Sequence, residues 1–203
     1  MKNLGRVLFR QRIKLDEYLI AGLAILQDLV QLPLNSKQDT SDAEQTDRML
    51  DLELLFEDSF ALFLQSLDKK YYLPFYWEDM FAVYSNLKKI FAILQTYNAE
   101  KGIYQVRFSF DHFLELEGRV LENVKCFFQE YLTNRKYSEE LLKNNQHELK
   151  NFVRLYYQGI ASISQEQAQS HILSRLLELF LEINTVNNTL QDLLQKILIG
   201  INL

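Results

Sequence analysis

Apolar residues recur along this chain at steps of three and four, the spacing that lines one face of an α-helix. Ile13, Leu19, Leu23, Leu26 and Val30 follow one face of a predicted helix over about Val7 to Gln31, which Pro33 is expected to stop. The polar stretch Asn35 to Asp47 predicts a loop. Within it Ser41-x-x-Glu44 has the form of a capping box for a second helix over about Glu44 to Leu67. Pro74, followed by Glu78 and Asp79, opens a third helix cleanly: proline needs no N–H donor there, and acids favour the positive end of the helix dipole. That helix is expected over about Tyr76 to Tyr97, with Asn98 to Val106, containing Gly102, as a connection. A fourth covers about Phe110 to Leu132, with Phe113, Leu116, Val120, Val124 and Phe127 in register and Thr133-Asn134 marking its end. A fifth spans about Ser138 to Ile160. Ser164-x-x-Gln167 caps a sixth over about Glu166 to Ile199, with a break expected near Asn187-Asn188.

Helices of about 24 residues are roughly 36 Å long, and short connections make sequential neighbours antiparallel. The expected architecture is all-α: one domain over residues 1–203, built as an elongated up-and-down six-helix bundle. Six glycines and two prolines in 203 residues agree with long helices rather than a turn-rich sheet. No repeat at a solenoid period is visible, while a division into two three-helix halves fits the lengths.

The net charge of −5 argues against nucleic acid as the main partner, because phosphate neutralisation needs a basic face. One local exception stands out. Lys2, Arg6, Arg10, Arg12 and Lys14 precede the first acid, Asp16, and suit an anionic lipid surface or the cytoplasmic face of a membrane protein. The single Cys126 excludes an internal disulfide and a cysteine-based zinc site; beside Phe127 and Phe128 it reads as a buried structural thiol. No uninterrupted apolar run suggests a membrane span and no signal peptide is evident, so the expected location is the cytoplasm, peripheral at the inner face of the membrane.

Chemistry is sparse. A carboxylate-bridged di-metal bundle needs Glu-x-x-His pairs, yet Ser109, Asn144 and Ala168 stand three residues before His112, His147 and His171. Glycine-rich phosphate loops, His-Glu-x-x-His and Gly-x-Ser-x-Gly are all missing. Glu115, Glu117 and Glu122 are expected to be solvated helix faces. A non-catalytic protein with no cofactor follows. Tyr71, Tyr72, Tyr76 and Trp77, in an aromatic group with Phe75, offer large area with polar tips and are expected, with Arg6, Arg10 and Arg12, to meet a partner.

Glu53-x-x-x-Glu57, Pro74 seventeen residues beyond Glu57, and then Glu78, Asp79 and Met80 together resemble the PhoU-like phosphate-transport regulators. The likeness is to the short cytoplasmic branch found alongside Pit-type phosphate transporters. In that family the second helix carries Glu-x-x-x-Asp, a Pro-x-Asp-Arg-Glu-Asp-Ile motif follows, and the third helix carries clustered aspartates. Here Tyr76 and Trp77 replace the Asp and Arg of the motif, and Lys88, Lys89 and Ala92 fall where the aspartates would be. Two lysines at a cation site repel a metal and remove hard oxygen ligands. The resemblance implies two three-helix halves with degenerate metal motifs, Glu53 and Glu57 with Glu178 and Glu182, and an accessory role in phosphate transport exercised on a transporter or its regulator.

Two other readings stand beside it. One is a helical ligand-binding or dimerisation domain of a regulatory protein, with Leu190, Leu193, Leu194, Ile197, Leu198, Ile199 and Ile201 forming either a homodimer seam or the chain's own core. The other keeps a metal on Glu53, Glu57, Glu178 and Glu182, in competition with salt bridges to Lys88 and Lys89.

Overall fold

Six helices follow one another in the computed structural model, which describes residues 2–35, 42–68, 76–103, 108–131, 133–163 and 170–200, with the side chains of 2–15, 42–43, 67–68, 76–77 and 102–103 excepted. They are α1 (Lys2–Asn35), α2 (Asp42–Asp68), α3 (Tyr76–Ile103), α4 (Asp111–Glu130), α5 (Arg135–Ile163) and α6 (Ser170–Gly200). The expected capping boxes at Ser41 and Ser164, the Pro74 punctuation and Tyr71 and Tyr72 lie outside the described residues.

Cross-helix contacts fix the directions. Asp16 meets Tyr131 and Gln27 meets Glu122, so α1 and α4 are antiparallel. Glu57 with Lys88 and Phe63 with Tyr84 give the same for α2 and α3. Arg119 with Glu148 and Phe113 with Phe152 do so for α4 and α5, and Gln191 with Leu142 and Phe180 with Phe152 for α5 and α6. Asp79 with Lys196 and Glu100 with Arg175 close the circuit between α3 and α6. Chain direction alternates from each helix to the next. The result is the all-α, up-and-down six-helix bundle expected from the periodicity, with α2 as an outer helix lying on α1 and α3.

Several boundaries differ from expectation. Pro33 does not stop α1: it sits buried inside the last turn, where its missing N–H removes a single ladder bond. α3 runs through Asn98 to Ile103. Thr133-Asn134 marks the end of α4 as expected, the N–H groups of both donating to the Glu130 carbonyl, and Asn134 also opens α5, its Oδ1 accepting the N–H of Tyr137 at 3.2 Å in the manner of an N-cap. α6 is unbroken at Asn187-Asn188. Asn188 donates its side-chain amide to the carbonyl of Asn184, and Asn187 turns inward.

Residues Asp16–Asn35 form the one stretch among the described residues long and apolar enough to cross a membrane, although polar residues interrupt it. Leu19, Leu23, Leu26, Leu29 and Val30 of this stretch are fully buried in the bundle. Its apolarity is therefore used in the core.

Aromatic rings fill two levels. In one, Phe56, Phe60 and Phe63 of α2 surround Tyr84 of α3 at 4.8–5.6 Å between ring centroids. The Tyr84 hydroxyl donates to Ser59 Oγ at 2.9 Å, Ser59 donates to the Tyr18 carbonyl, and burial pushes the phenol up to about 12. Gly22 of α1 makes room for this junction, since a Cβ there would stand 2.8 Å from Tyr84 Oη. Gly22→Ala is expected to destabilise the protein by about 1–3 kcal/mol despite alanine's better helix propensity, because the tyrosine is held by its hydrogen bond. Urea unfolding measures it. A Gly22→Ala protein at or above wild-type stability would show that the α1–α3 approach is not limiting.

Candidate functional site

The most unusual interior feature is polar. Glu117 of α4 is completely buried, not solvated as its charge suggested. It occupies the apolar stripe of its helix, between Phe113 and Val120, and its Oε2 accepts a hydrogen bond from Asn187 Nδ2 of α6 at 2.6 Å. Burial outweighs this bond and pushes the carboxyl up to about 8. Asn145 of α5 and Asn184 and Gln191 of α6 are also buried. Gln191 Nε2 donates to the Leu142 carbonyl at 2.9 Å. Five side-chain oxygens here have no hydrogen-bond donor: Glu117 Oε1, Asn145 Oδ1, Asn184 Oδ1, Asn187 Oδ1 and Gln191 Oε1. The sequence signal was a carboxylate and two amides, Asn184 and Asn187, standing at positions where the helical period calls for leucine.

On the outer side of α4 and α5 lies an open polar groove of about 270 Å³ lined by Arg119, Glu122, Asn123, Asn144, His147 and Glu148. Its charges are mutually engaged: Arg119 Nε donates to Glu148 Oε1 at 3.1 Å, and Lys125 Nζ reaches Glu122 Oε2 at 2.8 Å. Glu122 is held below the usual carboxylate range, chiefly by the hydrogen bond from Gln27 and then by that from Lys125. Cys126, half-buried rather than fully buried, points its Sγ at Glu122 Oε1 across 3.5 Å, and burial raises its thiol. A nucleophilic thiolate is thereby disfavoured.

The third feature is the outer face of α2. Leu50, Leu54, Leu55 and Leu62 are between 46% and 67% exposed, well beyond what a helix packed on both sides would leave. Among the described side chains α2 carries Glu44, Asp47, Asp51, Glu53, Glu57 and Asp58 alongside them, against the single Arg48. A leucine surface rimmed by acids suits a basic amphipathic partner rather than an anionic membrane.

The candidate metal glutamates do not converge. Among the described residues no group of three or more His, Cys, Asp or Glu side chains is placed to hold a metal ion. Glu57 instead pairs with Lys88 at 2.7 Å, the competition its neighbours suggested, while Glu53 is half-buried on the same helix. Glu178 lies exposed beside Arg175, and Glu182 is exposed one turn on. His112 is exposed and faces Glu115 at 3.3 Å; His147 and His171 are exposed too. Of the expected partner-binding residues, Arg6, Arg10 and Arg12 fall on the first turns of α1 and Tyr76 and Trp77 begin α3, but their side chains, like Tyr71 and Tyr72 altogether, lie outside the described residues. Leu190, Leu194, Ile197 and Leu198 of α6 are buried in the chain's own core, which leaves Ile199 as the exposed apolar residue at that end among the described ones.

Comparison with protein-family models, with curated proteins and with solved structures finds no match to this chain.

Proposed function

We propose that this chain is a non-catalytic accessory or regulatory protein that works by binding another protein, and that its partner is a membrane phosphate transporter or one of that transporter's regulators. The observation that carries the binding part is the exposed leucine face of α2 with its acidic rim. Support for the phosphate part comes from the Glu53, Glu57, Pro74, Glu78 and Asp79 spacing, on a chain whose helices alternate in direction as a PhoU-like bundle would require. A long helical face influences a transporter only by binding one of its states more tightly than another. The leucines supply the area and the acids select a basic segment near the cytoplasmic membrane surface, consistent with a protein peripheral to the inner face.

Phosphate uptake by cells lacking the protein, complemented with wild type or with Leu54→Glu/Leu55→Glu, tests the reading. Both leucines are more than half exposed, so the double variant folds normally while losing the apolar face. Altered uptake in the deletion, restored by wild type and not by the variant, is expected. Unchanged uptake in the deletion contradicts the phosphate assignment, and full restoration by the variant contradicts the α2 face.

A further inference from the structure

We propose that the interior between α4, α5 and α6 binds a small monovalent metal cation, sodium or potassium, at Glu117 and Asn187, with the amide oxygens of Asn145, Asn184 and Gln191 around it. The inference is independent of the partner-binding reading. It begins from geometry. Asn184, Asn187 and Gln191 follow one another at i, i+3 and i+7, so they share one face of α6. Asn187 is tied to Glu117 on α4 at 2.6 Å, and Gln191 is tied to the Leu142 carbonyl on α5, one turn before Asn145. All five side chains therefore border the same interior column.

A buried acceptor without a donor is destabilising, and this column holds five. A guest must meet these oxygens. Each of these five orphan atoms is an acceptor. Turning the Asn187 or Gln191 amide over does not help, because each already spends its N–H on Glu117 Oε2 or the Leu142 carbonyl and would lose one bond to gain another. A proton on Glu117 supplies one donor and leaves most of the oxygens unmet. A cation meets the oxygens at the level of Glu117 and Asn187, since it attracts lone pairs from every side, and water donates to those farther along the column.

The donor set selects the ion. One carboxylate and four neutral amides carry a single negative charge, which a monovalent ion neutralises, whereas a divalent ion would leave a buried net positive charge at a cost of several kcal/mol. All-oxygen ligands without imidazole or thiolate disfavour zinc and copper. From Asn184 to Gln191 the column spans about 10 Å along α6, so one ion takes the level of Glu117 and Asn187 and water links it to the ends.

The test is thermal unfolding of the full chain at mildly alkaline pH and constant ionic strength in the chlorides of lithium, sodium, potassium and choline. A ligand that binds only the folded state raises the midpoint in proportion to the logarithm of its concentration. The midpoint is expected to be several degrees higher in sodium or potassium than in choline, to rise with the concentration of the preferred ion, and to lose that preference in Glu117→Gln. Sodium NMR line broadening by the wild-type protein, relieved by Glu117→Gln or by competing potassium, reads the site directly. Equal midpoints in all four chlorides with no line broadening would overturn the proposal, and so would an ion preference that survives Glu117→Gln.

Discussion

Raising the pH from about 5 to about 9 in a buffer whose only cation is choline should destabilise the wild-type protein by several kcal/mol, while Glu117→Gln stays nearly flat over the same range at that position's contribution. Glu117 ordinarily would titrate near 4.5, and burial pushes it up to about 8 in the folded chain. Between those values the folded state holds a proton that the unfolded state has released. Stability tied to this group is therefore fully present below the unfolded pKa, declines as pH rises, and is lost once pH passes the folded pKa. The ceiling is on the order of 5 kcal/mol, and water entering the layer reduces it. Urea unfolding at a series of pH values, with the Gln variant subtracted, isolates the effect from other groups. A difference between the two proteins that does not change with pH would show that Glu117 is ionised in the fold throughout.

Phe180→Ala should cost about 3–5 kcal/mol, which at this chain length lowers the thermal midpoint by roughly 10 °C. Phe180 is fully buried on α6 and its ring gathers those of Tyr97, Phe110, Phe113 and Phe152 at centroid separations of 4.9, 5.3, 4.8 and 6.2 Å. These rings come from α3, the entry to α4, α4 and α5, so one truncation opens a cavity where four segments meet. The surrounding rings are large and planar and collapse poorly into such a gap. Phe180→Leu, which keeps most of the volume, should lose under about half as much. A loss below 1 kcal/mol for the alanine variant in calorimetry would mean that the ring cluster repacks freely.

The helical plan was legible because leucines and phenylalanines at steps of three and four leave little choice of element. Phe113, Leu116, Val120, Val124 and Phe127 were expected on one face of α4, and all are buried. Boundaries were less legible. Pro33 costs α1 one bond to the preceding turn without preventing its last turn from forming, and Asn134 serves the helix after it as well as the one before. Glu117 was read as a solvated charge because charged residues on helices usually are. Its place in the apolar register of α4 held the contrary information, and so did Asn187, whose inward turn replaces the expected break in α6. The pairing of Glu57 with Lys88 followed from charge alone. What the sequence could not convey is that α2 would lie outermost with four leucines in solvent, since that depends on which helices take the interior.

The most direct test of the account is crosslinked affinity purification from native cells with the membrane fraction included, comparing the tagged wild-type protein with Leu54→Glu/Leu55→Glu and identifying bound proteins by mass spectrometry. The account predicts recovery of a phosphate transporter or its sensor with wild type and its loss with the variant. Recovery of no membrane partner, or of the same proteins in equal amounts with both, would contradict it.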